Sequence, residues 1–424
     1  MTEPGANTPF VAIACGGTGG HLFPGIAVGE ELRKRGCKVL LLLSSKEIDL
    51  KAVQWHAMQS VKGFVKWHLP AVGLQNRNYY SFALSFWKSF RMARILFKAE
   101  RPDAVLAMGG FTSAPPVLAA RKLGAKTFLH ESNTIPGRAN RFLARFADEA
   151  FVGFPEAAAR LKVRKVTTTG TPVRPQFWRG EATDEPAHGD ARPAKTAQCR
   201  TALGLGPDRP VILVTGGSQG ASGLNEMILS SLPLLAEKNW QWLHLTGAND
   251  FEKVKAAYAA RGISAIVKPF LAEMDLALGT ATAAVSRAGA SSLAELAAMR
   301  LPSLLVPFPA AAGNHQFFNA RAFETTSAAR LLEQKDATPE KVAALLRELI
   351  ENEKARTGMQ TALARWHAPR AAEQIAENIL SACRSSSFSL PARTVPPRGA
   401  ELQRTRGQAC PRTNPVEQQN LSAA

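Results

Sequence analysis

Short uninterrupted apolar runs alternate along the chain with longer stretches in which apolar residues recur every three or four positions. Runs at 10–14, 38–44, 103–107, 126–130 and 149–152 predict strands, and the stretches 24–35, 79–99, 113–122 and 137–146 predict helices. The first of these helices is expected to open at Pro24 and stop at Gly36. Strands without polar alternation are buried on both faces, so the pattern predicts a parallel sheet covered by helices. Near 171–175 the alternation pauses. It restarts with strands at 211–215, 241–246, 265–268, 283–286 and 303–307, and helices at 222–237, 250–261, 291–300, 316–325 and 339–351. The expectation is an α/β protein of two like domains with little sequence repeat between them. Residues 180–197, rich in Glu, Asp, Ala, Pro and Gly, read as a flexible surface insertion, and 385–424 as a disordered tail.

Three strand ends carry glycine turns: Cys15-Gly16-Gly17-Thr18-Gly19-Gly20-His21, Met108-Gly109-Gly110-Phe111-Thr112, and Gly216-Gly217-Ser218-Gln219-Gly220-Ala221. Ligands of parallel sheets bind beyond the carboxyl ends of the strands. Glycine there lets backbone N–H groups crowd an anion, and a following helix N-terminus adds partial positive charge. A fourth strand end, Ser286-Arg287-Ala288-Gly289-Ala290-Ser291-Ser292-Leu293-Ala294-Glu295, offers Ser291 or Ser292 as a helix cap on which a diphosphate could rest. Glu295 suits sugar hydroxyls, or equally the dipole of its own helix. His21 suits a general base, or a residue that orders its loop. His130-Glu131-Ser132-Asn133, Asn314-His315-Gln316 and Arg174 are further polar points in loops, where such residues commonly serve as caps.

Charge narrows the partners. A net charge of +18 asks for an acidic one. From Lys62 to Arg101 there are eight Lys/Arg against Glu100, and beyond Cys383 six Arg against Glu401 and Glu417. Tyr79, Phe82, Phe86, Trp87 and Phe90 fall at roughly helical spacing, with Lys88 and Arg91 among them. Such a helix suits an anionic bilayer surface, although one face, with Phe82, Phe86 and Phe90 as candidates, must pack inward. The five cysteines show neither metal-ligand spacing nor a disulfide framework, and the N-terminus reads as no signal peptide. The expected compartment is the cytoplasm.

Together, Gly16–His21 with Pro24-Gly25, Met108–Phe111, His130–Asn133, Gly170-Thr171-Pro172-Val173-Arg174, Gly216–Ala221 and Arg287–Ala290 resemble the MurG family over about residues 8–383. The resemblance implies a GT-B fold, two Rossmann-like domains with parallel sheets facing across a cleft. It places an N-terminal domain at 8–172, a donor domain at 173–366, and a helix returning to the first domain at 367–384. It implies an inverting transfer of N-acetylglucosamine from UDP-N-acetylglucosamine to lipid I, giving lipid II for peptidoglycan, without cofactor or fixed metal. Donor contacts would fall on Thr18, Gly19, Gly20, Asn133, Arg174, Ser218, Leu271, Ala290, Ser291, Ser292, Leu293, Ala294, Glu295 and Gln316, with His21 as base. Tyr79, Phe82, Trp87, Lys88 and Arg91 would meet the anionic cytoplasmic face of the inner membrane as a peripheral protein does, near other cell-wall synthesis enzymes. Ser291-Ser292 stands where a Leu-Thr pair is common in the family. Rival readings are a nicotinamide-dependent oxidoreductase, though 16–20 is no clean G-x-G-x-x-G, and a related GT-B glycolipid synthase or UDP-sugar epimerase. No recognised module supports a nucleic-acid partner.

Overall fold

The computed structural model describes residues 8–16, 19–44, 64–70, 79–177, 191–217 and 220–387, with only the backbone of 191–195 and 385–387. Thr18, Ser218, the first part of the expected 180–197 insertion and the tail beyond 387 lie outside these residues. The first sheet contains β1 (Phe10–Ala14), β2 (Lys38–Ser44), β3 (Val65–Leu69), β4 (Ala104–Ala107), β5 (Lys126–Glu131), β6 (Glu149–Val152) and β7 (Val166–Thr168). Its order is β3-β2-β1-β4-β5-β6-β7, and every pairing is parallel. The second contains β8 (Val211–Thr215), β9 (Gln241–Leu245), β10 (Ala265–Lys268), β11 (Ala283–Ser286), β12 (Ser303–Leu305) and β13 (Arg330–Leu331), in the parallel order β10-β9-β8-β11-β12-β13.

In both sheets the order reverses beside the first strand, at β1/β4 and at β8/β11. A crevice opens where connections leave such a point toward opposite faces. The first two glycine turns follow β1 and β4. The third follows β8, and the helix Ala290–Ala298 follows β11. Topology alone therefore brings the four polar strand ends into pairs.

Three strands had no counterpart in the apolar pattern: β3, β7 and β13. All three lie at sheet edges, where one side has no neighbouring strand. In Val-Lys-Trp-His-Leu of β3, Val65, Trp67 and His68 are exposed, so no continuous apolar run is required. Two further corrections concern helices. The first helix begins at Gly19, not at Pro24, and carries Pro24 inside it. Proline inside a helix removes its own N–H and crowds the carbonyl one turn earlier, here that of Gly20, which finds another donor described below. Residues 191–197 of the expected insertion belong to the helix Ala191–Leu203. Beyond the expected insertion, Cys199 of the same helix is buried, and Arg200 donates to the Thr280 carbonyl and to Thr282 Oγ1.

The two halves interlock. Ile375, Ala376, Ile379 and Leu380 of the helix Ala371–Ser387 pack with Val11, Ile13 and Phe151 in the first core. Phe154, just past β6, packs into the second core, where its ring lies 6.2 Å from Phe323 and 5.4 Å from Trp366.

Candidate functional site

At the first switch point the two glycine turns hold each other. Thr112 Oγ1 donates to the Gly16 carbonyl at 2.6 Å. Gly109 (φ 110°) and Gly110 (φ 76°) adopt the left-handed region that favours glycine. The His21 ring occupies the space this leaves. A Cβ on Gly109 would lie 2.9 Å from His21 Nε2, and one on Gly110 3.2 Å from its Cε1. Gly19 and Gly20 open the helix that carries His21.

The loop after β5 is organised by a carboxylate. Glu131 is buried, and its Oε1 accepts from the Asn133 N–H at 2.9 Å and from Asn133 Nδ2 at 3.1 Å. Its Oε2 accepts from the Gly137 N–H and from Asn140 Nδ2, both at 2.9 Å. Four donors stabilise a buried charge that would otherwise be costly. Asn140 Oδ1 is buried without a hydrogen-bond partner among the described residues. His130 bonds the Gly170 carbonyl through Nε2 and Ser132 through Nδ1, and burial holds its pKa below the usual value. Its two ring nitrogens are thus both engaged in holding this loop.

Across from these turns lies the start of the helix Ala290–Ala298. Its cap position is Gly289, and no side chain caps it. The expected cap by Ser291 or Ser292 is corrected here, because both lie inside the first turn, past the position from which a side chain can cap. Ser291 Oγ instead donates to the Gly20 carbonyl at 3.0 Å, the carbonyl that Pro24 leaves without its helical partner. The first-turn N–H groups of a helix that no side chain caps form an anion site. Leu293 is buried, while Ser292, Ala294 and Glu295 are partly accessible.

Burial pushes the Glu295 carboxyl up to about 7, with Arg174 acting to lower it and Asp275 to raise it. Arg174 is itself 5% exposed. Its guanidinium lies 4.4 Å from the Phe23 ring centroid and 5.0 Å from that of Phe177. Burial lowers its pKa, and Glu295, Asp275 and Glu30 oppose that. Gln316 Oε1 accepts from the N–H groups of Ala288 at 3.2 Å and Phe308 at 3.0 Å. That fixes the amide with its NH2 as the available end, a donor for sugar oxygens. Leu271 is buried in the second core beside the exposed Phe270.

The helix Tyr79–Ala99 divides its aromatics. Phe86 and Phe90 pack against the first core, Phe82 is partly buried, and Tyr79, Tyr80 and Trp87 are exposed, as are Lys88 and Arg91. The inward reading therefore holds for Phe86 and Phe90. Arg91 lies over the Trp87 ring at 5.4 Å. No helix among the described residues is long and apolar enough to cross a membrane.

Asn319 was not singled out in the sequence, although it lies one turn from Gln316 on the same helix. The i, i+3 spacing was the available signal.

Comparison with known proteins follows the same outline. Residues 11–152 match the Glycosyltransferase family 28 N-terminal domain, and 211–375 its C-terminal domain. The UDP-N-acetylglucosamine–N-acetylmuramyl-(pentapeptide) pyrophosphoryl-undecaprenol N-acetylglucosamine transferase of Anaeromyxobacter sp. (strain Fw109-5) is 37% identical over 372 residues, which is 86% of this chain and 91% of that protein. The transferase of the same name from Xanthomonas euvesicatoria pv. vesicatoria is 36% identical over 389 residues, 90% of this chain and 83% of that protein. The crystal structure of Acinetobacter baumannii MurG superposes with a TM-score of 0.67 at 25% identity, covering 88% of this chain and 100% of that one. A Polygonum tinctorium UDP-glucosyltransferase, at 16% identity and a TM-score of 0.64, shares the fold.

Proposed function

The chain belongs to the MurG family of glycosyltransferase family 28, and from that premise we propose how its cleft divides the work of sugar transfer. The enzyme moves N-acetylglucosamine from UDP-N-acetylglucosamine to lipid I, forming lipid II for peptidoglycan. The diphosphate rests on the open N-terminus of the helix Ala290–Ala298, with Ala290 to Ala294 lining it. Glu295 holds ribose hydroxyls, Leu271 packs the uracil, and Gln316 donates to the sugar. Arg174, clasped between two aromatic rings, keeps Glu295 in place and supplies fixed positive charge. Gly19 and Gly20 approach the donor from the opposite wall, with Asn133 at its edge. Thr18 and Ser218 complete the set.

His21 removes the proton from the muramyl 4-hydroxyl as that oxygen attacks the anomeric carbon. The bond to UDP breaks on the far side, so configuration inverts. Amides held in place before the reaction stabilise the departing diphosphate without reorganising, which is worth about 3 kcal/mol per donor. Tyr79, Phe82, Trp87, Lys88 and Arg91 set the first lobe on the anionic cytoplasmic face of the membrane, where the acceptor resides.

One observation carries this reading. Ser291 on the donor helix reaches Gly20, the residue before His21, so leaving group and base share one crevice. The test is transfer of radiolabelled sugar from UDP-N-acetylglucosamine to a short-chain lipid I analogue. The expected product is the β-linked disaccharide lipid. Donor epimerisation, or transfer to diacylglycerol in its place, would overturn the reading.

A further inference from the structure

The helix His315–Thr325 carries Gln316 and, one turn on, the fully buried Asn319. Asn319 Oδ1 accepts from the Thr134 N–H at 2.9 Å and from Thr134 Oγ1 at 3.0 Å. Its Nδ2 donates to Asn133 Oδ1 at 3.0 Å and to the Ala288 carbonyl at 3.1 Å. A primary amide has two N–H donors and two lone pairs, and all four are used. Asn133 and Thr134 lie in the first lobe, after β5. Ala288 lies in the second, two residues before the helix Ala290–Ala298. Gln316, from the same helix face, holds the Ala288 N–H. The peptide groups on either side of Ala288 are thus gripped by one helix, which also grips the opposite lobe.

We propose that Asn319 is a positioning residue that sets the register of the donor helix against the loop 131–140, without touching substrate. The inference rests on the reading above, in which that helix takes the diphosphate and the first lobe presents the base. The connection is continuous. Ala288 is tied to Asn319, Asn319 to Asn133, and Asn133 to Glu131, which in turn holds Gly137 and Asn140. Ser291 on Gly20 makes a second tie three residues on. The start of the helix is therefore fixed at two points against the lobe that carries His21. In-line attack needs that register, since small misplacements of reacting groups cost rate steeply.

The amide is polar in one direction, and this supplies the test. Asn319→Asp keeps size and both Thr134 bonds, but sets an oxygen against the Asn133 Oδ1 and Ala288 oxygens. Gln316 still holds Ala288, so the donor pocket keeps its shape. In the full-length protein, N319D should lower kcat by about tenfold, roughly 1.4 kcal/mol, with UDP affinity within about threefold of the parent. Amide hydrogen exchange across 131–140 should quicken. Thr134→Val removes one bond and should lower kcat by about twofold to threefold. Wild-type kcat in N319D overturns the proposal. So does a parallel loss of UDP affinity, which would make Asn319 part of the donor pocket alone. So does a kcat that recovers fully at a temperature where the variant is folded. If N319D does not fold, a wild-type kcat in T134V overturns it. Were the parent protein to transfer no sugar, the functional reading would fail. Exchange across 131–140 would then decide the clasp by itself, unchanged protection in N319D overturning it.

Discussion

The two lobes share a strand order that reverses beside the first strand, yet they finish that reversal differently. In the first lobe Gly109 and Gly110, in left-handed backbone, fold under the His21 imidazole, and a nearby carboxylate, Glu131, is saturated with donors. In the second, β11 leads to a helix start without a side-chain cap, and the nearby carboxylate, Glu295, is partly accessible yet desolvated enough for its pKa to rise. One crevice is closed over an imidazole ring, the other opens on an uncapped helix start. The same topology thus supplies two kinds of chemistry, and the difference lies in how each loop satisfies its backbone. Their surfaces diverge as well. The helix Pro339–Glu351 of the second lobe buries Val342, Ala343, Leu346, Leu349 and Ile350. The longer helix Tyr79–Ala99 buries only Ser89, Ala93 and Phe97 and leaves Tyr79, Tyr80, Leu84, Trp87 and Ile95 exposed.

If labour is divided in this way, damage to one lobe should leave the other's task intact. The largest effect is expected from His21→Ala, which should lower kcat by about 10²–10⁴-fold, the usual worth of a positioned base. UDP affinity, measured by calorimetry, should stay close to the parent's. A collapse of both would mean that His21 holds the glycine turns rather than the proton. Next comes the double change Lys88→Gln with Arg91→Gln. At about 1 kcal/mol for each cation near an anionic surface, partition onto phosphatidylglycerol vesicles should fall roughly 30-fold. Turnover on a water-soluble acceptor analogue should be unaffected. Equal partition would leave the exposed aromatics of that helix without the role given them.

Much of this division is written in the sequence, because central parallel strands must be apolar throughout and glycine turns are conspicuous. β1, β2, β6, β8, β10 and β11 have the ends expected of them. The edge strands β3 and β7 were invisible, since a strand with one free side needs no continuous apolar run. Pro24 misled for a related reason. Proline usually marks a helix start because further in it deprives the carbonyl one turn earlier of its donor, and here Ser291 supplies that donor from a residue 271 positions away. Asn319 was missed on the same ground. Three of its four bonds reach Asn133 and Thr134 of the other lobe, and no local pattern reports bonds that form only when two lobes meet.

The smallest predicted effect is the most discriminating between the two carboxylates. Burial is the main cause that raises Glu295 to about 7, outweighing the pull of Arg174. A raised carboxyl pKa means that the folded state favours the proton. Its contribution to stability is then fully present below about pH 4.5 and is lost as the pH rises through about 7. Donor binding should run the opposite way. The ionised carboxylate offers both oxygens as charge-assisted acceptors to the ribose hydroxyls, and its population grows from about a tenth to about nine tenths between roughly pH 6 and 8. Affinity for UDP-N-acetylglucosamine, whose diphosphate diester keeps its charge over that range, should therefore rise about tenfold across it. Glu295→Gln should bind weakly and without this slope. A flat profile in the parent protein would show that Glu295 does not meet the donor as an anion. The contrast between the crevices would then rest on the helix start alone.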